Sequence, residues 1–186
     1  MKRLFDIFFG FLLFLVFIIP MLIIAILVVL TSKGPVFHWS DRVGKNNSIF
    51  KMPKFRSMII EAPNIASHKM KYPNEFITPI GSFLRQYSLD ELPQLISIVK
   101  GDMSFVGPRP ALFNQDDLVA LRKKKGVDKL IPGITGWAQI NGRDNLKISQ
   151  KVFYDEEYLL RQSFWFDLKI LWKTILIVIK KDNVSH

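Results

Sequence analysis

The chain opens with an apolar run that is long enough to enter a membrane. From Leu4 to Leu30 there are 27 residues with a single charge, Asp6, and a single proline, Pro20. A helix rises about 1.5 Å per residue, so the run exceeds the roughly 30 Å of a hydrocarbon core. It is also too long for the apolar region of a secretory signal peptide. The pattern therefore predicts a membrane helix over residues 1–32.

Basic residues flank this run on both sides. Lys2 and Arg3 precede it, and six further lysines and arginines follow between Lys33 and Arg56. Positive residues favour the cytoplasmic side of a membrane, so both ends are expected there. Pro20 removes a backbone hydrogen bond and could break the helix. A helix that dips into the bilayer and returns is thus favoured over the simple span that hydropathy alone would suggest.

Residues 33–186 are predicted to form a small α+β domain that is mainly α-helical. The patterns of Val36–Trp39 and Ser48–Phe55 are typical of short strands or extended loop. The run Ile131–Arg143 carries many turn signals and is predicted to be an irregular loop. Two helices are expected to end at glycines, Gly101 and Gly126. The predicted helices are Ile80–Tyr87, Asp90–Lys100, Asp116–Lys125, Ser149–Arg161 and Ser163–Lys181.

The last predicted helix is amphipathic. Lys169, Lys173 and Lys180 share one face at helical spacing, while Trp165 and Trp172 occupy another. A helix of this kind can lie at the headgroup boundary, with its lysines toward anionic lipid. It can equally pack one face against a protein core. The pattern fits both interpretations.

Composition narrows the chemistry. The 186 residues suffice for one folded unit beside the membrane helix. The absence of cysteine excludes disulfides, thiolate metal sites and cysteine nucleophiles, and the three histidines are scattered. Any metal would therefore have oxygen ligands, which favours Mg²⁺. A net charge of +10 predicts anionic partners such as lipid headgroups, phosphates or nucleotides.

The segment SLDELPQL places two adjacent carboxylates, Asp90 and Glu91, at the start of a predicted helix. One interpretation is helix capping, because acidic residues in a first turn are stabilised by the helix dipole. The other is chemical, because Arg85 lies just upstream and the GPRP motif presents Arg109 between two prolines. Carboxylates beside phosphate-binding arginines suit a bridging metal ion, or an attack by one carboxylate on phosphorus.

Several longer motifs, taken together, resemble a known family. The proline-containing N-terminal run, GPVFHWSDRVGK, KFRSM, RQYSLDELPQL, KGDMSFVGPRP, PGITGWAQINGR and SFWFDLKILWKT are similar to those of the bacterial sugar transferases. The resemblance covers nearly the whole chain and is to the small monotopic polyprenol-phosphate phosphoglycosyl transferases. It implies a re-entrant membrane helix, a catalytic domain on the cytoplasmic face of the bacterial inner membrane, Mg²⁺, and a ping-pong reaction.

The resemblance also implies roles for individual residues. Asp90 matches the nucleophile, and Glu91 matches a carboxylate that helps to hold the metal, so Asp90 and Glu91 are the predicted catalytic residues and metal ligands. Arg143, in the NGR segment, is a further cation in a loop beside polar groups. The predicted substrate-binding residues are Arg85, Arg109, Lys54, Arg56 and Arg143.

The expected reaction transfers a phosphosugar from a UDP-sugar, with an N-acetylated amino sugar expected, to polyprenyl phosphate at the start of glycoconjugate biosynthesis. The alternative is a membrane-anchored basic module that binds anionic lipid or nucleic acid without catalysis. No segment resembles a nucleic-acid-binding motif, so no nucleic-acid partner is expected. One position departs from the family pattern. Ile19 stands where family members often have a serine before the helix-breaking proline.

Overall fold

The chain is a mainly helical α+β structure, as its sequence predicts. The computed structural model describes residues 1–63, 73–142 and 145–180. The strands are β1 (Phe37–Val43), β2 (Ile49–Phe55), β3 (Ser104–Val106) and β4 (Gly133–Thr135). The helices are α1 (Lys2–Thr31), α2 (Gly81–Gln86), α3 (Gln94–Lys100), α4 (Asp116–Lys124), α5 (Trp137–Ile140), α6 (Ile148–Arg161) and α7 (Phe164–Lys180).

The strands form two small pairs. β1 and β2 make an antiparallel hairpin in which His38 lies opposite Lys54. β3 and β4 run parallel, with Ser104 opposite Gly133. The prediction of an irregular loop over 131–143 is therefore wrong for β4 and α5. The misleading signal was Gly133, which allows a close approach of two backbones: a Cβ there would lie 2.1 Å from the backbone nitrogen of Gly107.

Helix α3 begins later than its sequence pattern predicts. Ser88 adopts a left-handed conformation with φ 54°, and the chain then forms a tight 3₁₀ turn over Leu89–Glu91. Pro93 is the N-cap of α3, which starts at Gln94. The predicted start at Asp90 is thus wrong, and Asp90 makes no capping hydrogen bond. The predicted end is confirmed, because Gly101 follows α3 with φ 103°.

Helix α1 continues through Pro20 from Lys2 to Thr31, so the proline does not end the helix, and the kink predicted at Pro20 stays a prediction. One stripe of this helix is buried against the rest of the chain, while large apolar side chains cover the opposite side. Its length and composition suffice to cross a membrane. The buried residues of the stripe are Asp6, Gly10, Met21, Ile24 and Val28.

The first two turns of α1 are fixed by polar contacts. The guanidinium of Arg3 donates to the carbonyls of Ile98 and Val99, at 2.6 and 2.7 Å, in the last turn of α3. Asp6 is buried and accepts from the Ser104 hydroxyl at 3.1 Å and the Phe105 amide at 3.2 Å. A charged residue inside an apolar helix is therefore satisfied by the adjoining domain rather than by solvent.

The far end of α1 contacts the same domain. Ile24 and Val28 pack against Phe55 of β2 and Leu84 of α2. Just beyond the helix, the Arg56 guanidinium donates to the carbonyl of Ser32 at 2.8 Å and to that of Lys33. Both ends of α1 are therefore attached to one folded unit.

Helix α7 has a buried face and an exposed face. Phe166 and Ile170 pack with Val106 and Tyr158 in a core cluster. Trp165 is 78% exposed, and other large side chains on the outer face, such as Trp172, are exposed as well. The two interpretations of the sequence pattern are thus compatible, because the helix packs on one side and leaves tryptophan and lysine on the other.

The contacts of Asp6 lead to a stability prediction. Asp6→Ala removes the acceptor of one buried donor, the Ser104 hydroxyl, and of one partly buried donor, the Phe105 amide. An unsatisfied buried group costs about 1–3 kcal/mol. Asp41→Ala is the control, because Asp41 forms an exposed ion pair with Lys51, and such pairs contribute roughly 0–1 kcal/mol. Thermal unfolding in detergent should show a clearly larger loss for Asp6→Ala. Equal losses in the two variants would contradict the importance of the buried contact.

Candidate active site

The two predicted catalytic carboxylates lie side by side on the buried turn between α2 and α3. Asp90 is 8% exposed and Glu91 9% exposed. The turn packs against β2 and follows directly on α2. Burial of two adjacent acidic residues requires compensating positive charge, because an unpaired buried charge is strongly unfavourable.

Positive charge reaches the carboxylates from two other parts of the chain. One oxygen of Glu91, Oε1, accepts from Lys54 Nζ at 2.7 Å and from Arg109 Nη2 at 2.9 Å. Asp90 has a weaker contact, since its Oδ2 lies 3.8 Å from Lys54 Nζ. Glu91 thus accepts hydrogen bonds from two cations, whereas Asp90 is beyond hydrogen-bond distance of Lys54.

Each cation has a defined origin in the fold. Lys54 belongs to β2, and the hairpin pairing fixes its place along the strand. Arg109 lies in the GPRP turn after β3, where two prolines restrict the backbone. Arg85 is in the last turn of α2, is only 8% exposed, and adds to the positive potential at Asp90.

The two carboxylates differ in their electrostatics. Burial raises the pKa of Asp90 above its ordinary value, and the nearby Glu91 adds to this, while Lys54, Arg85 and Arg109 oppose it. Burial alone would also raise the pKa of Glu91. There, Arg109 and Lys54 outweigh burial and hold the pKa well below its usual range. Glu91 is therefore a stable anion, and Asp90 is an anion that its surroundings stabilise poorly.

Three of the five predicted substrate-binding residues gather at the carboxylates: Lys54, Arg85 and Arg109. Arg56 does not, because its guanidinium is bonded to carbonyls at the end of α1. Arg143 lies outside the described residues. Arg56 and Arg143 therefore stay predictions as substrate ligands.

The sequence did not indicate the residues that hold the backbone of the GPRP turn. Arg42 donates to the carbonyl of Pro110 at 3.2 Å, and Arg122 donates to the carbonyl of Arg109 at 2.8 Å. Arg122 stands in a run of basic residues with Lys123, Lys124 and Lys125, and nothing in the local pattern distinguishes it from them.

The donor set can be tested against a divalent metal. Within residues 1–63, 73–142 and 145–180, no group of three or more acidic or histidine side chains is placed to hold an ion. Mg²⁺ is commonly bound by one or two carboxylates together with phosphate oxygens and water, so the Asp90–Glu91 pair fits that mode. A buried anionic pair with three cations around it is suited to a phosphorylated substrate.

Comparison with known proteins is consistent with a site for a phosphorylated substrate. Residues 1–181 match the family described as Bacterial sugar transferase, and the chain belongs to this family. The resemblance noted from the motifs is thereby confirmed.

The relatives include proteins longer than this chain. A UDP-galactose-lipid carrier transferase of Erwinia amylovora is 35% identical over 98% of the chain and 41% of its own length. A UDP-glucose:undecaprenyl-phosphate glucose-1-phosphate transferase of Escherichia coli is 40% identical over 82% of the chain and 34% of its own length. An uncharacterized sugar transferase, EpsL of Bacillus subtilis, is 39% identical over the whole chain and 91% of its own length. The chain thus spans about two fifths or less of the two named transferases.

The different environments of the carboxylates predict opposite effects on stability. Because the pKa of Asp90 is raised in the folded state, its ionised form at neutral pH lowers the free energy of unfolding. Asp90→Asn removes this charge and should raise the unfolding temperature. A lowered pKa contributes stability at neutral pH that is lost as pH falls through the folded-state pKa. Glu91→Gln should therefore lower the unfolding temperature, because Lys54 and Arg109 lose their anion.

Thermal unfolding in detergent at neutral pH measures both variants, with Asp41→Asn as an exposed control. A lower unfolding temperature for both site variants would contradict the assigned asymmetry.

Proposed function

We propose that the chain is a phosphoglycosyl transferase that moves a sugar phosphate from a UDP-sugar to polyprenyl phosphate and releases UMP. The proposal is supported by the family and by the names of relatives, which refer to UDP-sugars and to lipid or undecaprenyl-phosphate acceptors. The observation that carries it is the buried Asp90–Glu91 pair with Lys54, Arg85 and Arg109 around it.

The burial of the pair argues against the alternative of a non-catalytic basic module. Such a module would bind anions through exposed lysines and arginines, and would have no use for two buried carboxylates. A buried acid with a raised pKa, such as Asp90, reduces stability at neutral pH. Perturbed groups of this kind concentrate at functional sites.

Asp90 is assigned as the nucleophile. A carboxylate oxygen of Asp90 forms a bond to the phosphorus that carries the sugar, and the bond from that phosphorus to the bridging oxygen breaks. UMP leaves with the bonding electron pair. A phosphate oxygen of the lipid then attacks the same phosphorus, and the bond to Asp90 breaks and restores the carboxylate. Asp90 suits this role because Glu91, and not Asp90, holds the two cations at hydrogen-bond distance.

The other groups hold charge in place. Arg109 and Lys54 would meet phosphate oxygens and stabilise the negative charge that develops on them, with Arg85 adding positive potential. Mg²⁺, held by Glu91 and Asp90, would neutralise the diphosphate. Because Glu91 Oε1 already accepts from two cations, Asp90 or the second oxygen of Glu91 would have to face the metal.

The membrane helix is proposed to be re-entrant, with both ends on the cytoplasmic face. Lys2, Arg3 and Asp6 bond the folded domain at one end of α1, and Val28 and Ser32 contact it at the other. A hydrocarbon layer of roughly 30 Å cannot separate two ends that bind one domain. The exposed Trp165 and Trp172 of α7 support a place for that helix at the same interface.

The sugar is proposed only as a class. The motif resemblance implies an N-acetylated amino sugar, whereas the relatives compared above are named for galactose and glucose. A panel of UDP-sugars that contains hexoses and N-acetylated amino sugars, assayed for UMP release, separates the two expectations.

The covalent step leads to the central test. Purified protein with Mg²⁺ and a UDP-sugar, but with no lipid acceptor, should release about one UMP per active site, as in other burst reactions through a covalent intermediate. The peptide that contains Asp90 should gain the mass of one phosphosugar. Asp90→Asn should abolish both signals, and Glu91→Gln should weaken them.

Direct attack by the lipid would give another pattern. UMP would then appear only when polyprenyl phosphate is present, and no adduct would be found on the Asp90 peptide. Water as the final acceptor would give free sugar phosphate in place of the lipid product. A protein that binds anionic vesicles equally well with Asp90→Asn, and releases no UMP, would be the non-catalytic module.

The topology is tested by cysteine labelling, because the chain has no cysteine of its own. Single cysteines are placed after Met1 and at Pro35, beyond the two ends of α1, in positions that break no contact named above. A membrane-impermeant reagent should label both only after the cells are permeabilised. Labelling of one site in intact cells would show that α1 spans the membrane.

A further inference from the structure

The backbone of the GPRP turn is held by three different elements. The carbonyl of Pro108 accepts from the Gly133 amide of β4 at 2.9 Å. The next carbonyl, that of Arg109, accepts from Arg122 Nη1 of α4 at 2.8 Å. The carbonyl of Pro110 accepts from Arg42 Nη1 of β1 at 3.2 Å. Three consecutive carbonyls are thus fixed from three directions.

Arg122 is itself held in a single orientation. Its Nε and Nη2 donate to Asp155 Oδ2 at 2.9 and 2.7 Å, which leaves Nη1 for the carbonyl of Arg109. Asp155 lies on α6 and is 1% exposed. The planar fork of an arginine can serve both acceptors at once, and charge-assisted hydrogen bonds of this kind are stronger than neutral ones.

We propose that Arg122 and Asp155 are positioning residues that set the place of Arg109 in the active site. Arg122 fixes the peptide of Arg109, and the Arg109 guanidinium then reaches Glu91 at 2.9 Å and the substrate phosphate. Asp155 fixes Arg122. This inference rests on the proposed function, in which Arg109 meets phosphate. A displacement of a binding group by about 1 Å can cost around a hundredfold in rate, so a remote contact can have a large kinetic effect.

The same two helices offer a matched control. Lys125, the residue that follows α4, forms an ion pair at 3.1 Å with Glu156 of α6, which is the neighbour of Asp155 in sequence. Lys125 is exposed and Glu156 is partly exposed. Glu156→Gln removes an ion pair between the C-terminal end of α4 and α6, and it touches none of the contacts of the GPRP turn. A role for Arg122 in merely joining α4 to α6 is thereby separated from a role in placing Arg109.

The experiment uses the full chain in detergent and the rate of UMP release from a UDP-sugar that the wild-type protein turns over. Arg122→Lys and Asp155→Asn should each lower kcat/KM by about tenfold or more. Lysine in place of Arg122 keeps the charge but cannot bond Asp155 and the Arg109 carbonyl with one planar fork. Glu156→Gln should stay within about twofold of wild type, as exposed ion pairs contribute little.

A double-mutant cycle identifies the route of the effect. In an Arg109→Ala background there is no guanidinium to place, so Arg122→Lys should change kcat/KM by less than about twofold. The fall in unfolding temperature caused by Arg122→Lys should be similar in both backgrounds. The Kd for UDP gives the same comparison in variants that are too slow to assay.

Two results would overturn the proposal. One is an equal loss of kcat/KM, or of UDP affinity, from Arg122→Lys with and without Arg109. The other is wild-type kinetics in both Arg122→Lys and Asp155→Asn. A wild-type protein that releases no UMP from any UDP-sugar would instead refute the proposed function, and the UDP-affinity cycle would still report on the placement of Arg109.

Discussion

A single carboxylate oxygen, Glu91 Oε1, joins three separate parts of the chain. Lys54 comes from the β1–β2 hairpin and Arg109 from the turn after β3, and both donate to this atom. Without the anion, two cations would face each other in a largely buried space. The Leu89–Glu91 turn, β2 and the GPRP turn are therefore held in a fixed relation by electrostatics rather than by a continuous sheet or a shared helix.

This arrangement leaves Asp90 in an unusual position. It shares the burial of Glu91 but has weaker contact with Lys54, and its pKa is raised while that of Glu91 is lowered. Glu91 thus supplies the negative charge that balances Lys54 and Arg109. One acid holds two cations at hydrogen-bond distance, and its neighbour lies beyond that distance from Lys54. Two residues of similar chemistry acquire opposite pKa shifts through a difference in their surroundings.

Much of the fold could be predicted from local patterns. The apolar run, the helical pattern that leads up to Lys100, and Gly101 are signals that depend on neighbouring residues alone. The errors have a common physical origin. Gly133 was interpreted as a turn signal, whereas it allows two backbones to approach. A helix was expected to start at Asp90, but the left-handed Ser88 is followed by a tight turn, and the helix starts only after Pro93.

The site could be predicted in part for the same reason. Asp90, Glu91 and Arg109 stand in short motifs that suggest phosphate chemistry. Arg122 and Asp155 do not, because they are 33 residues apart and only the packing of α4 on α6 brings them together. Arg56 shows the converse. Its motif suggested a substrate ligand, which stays a prediction, and nothing in the sequence indicated that its guanidinium donates to the carbonyls of Ser32 and Lys33 just beyond α1.

The buried stripe of α1 bears on how the protein can be handled. Val28 covers Phe55 and Leu84, which are 1% and 0% exposed, and Gly10 lies against Ile98, which is also 0% exposed. Removing residues 1–32 would uncover these side chains, together with the donors that Asp6 accepts from. A fragment without the helix would therefore expose a hydrophobic patch where the helix had packed, and such a patch promotes aggregation. For this chain, helix α1 and the domain that it covers must be produced, purified and crystallised together.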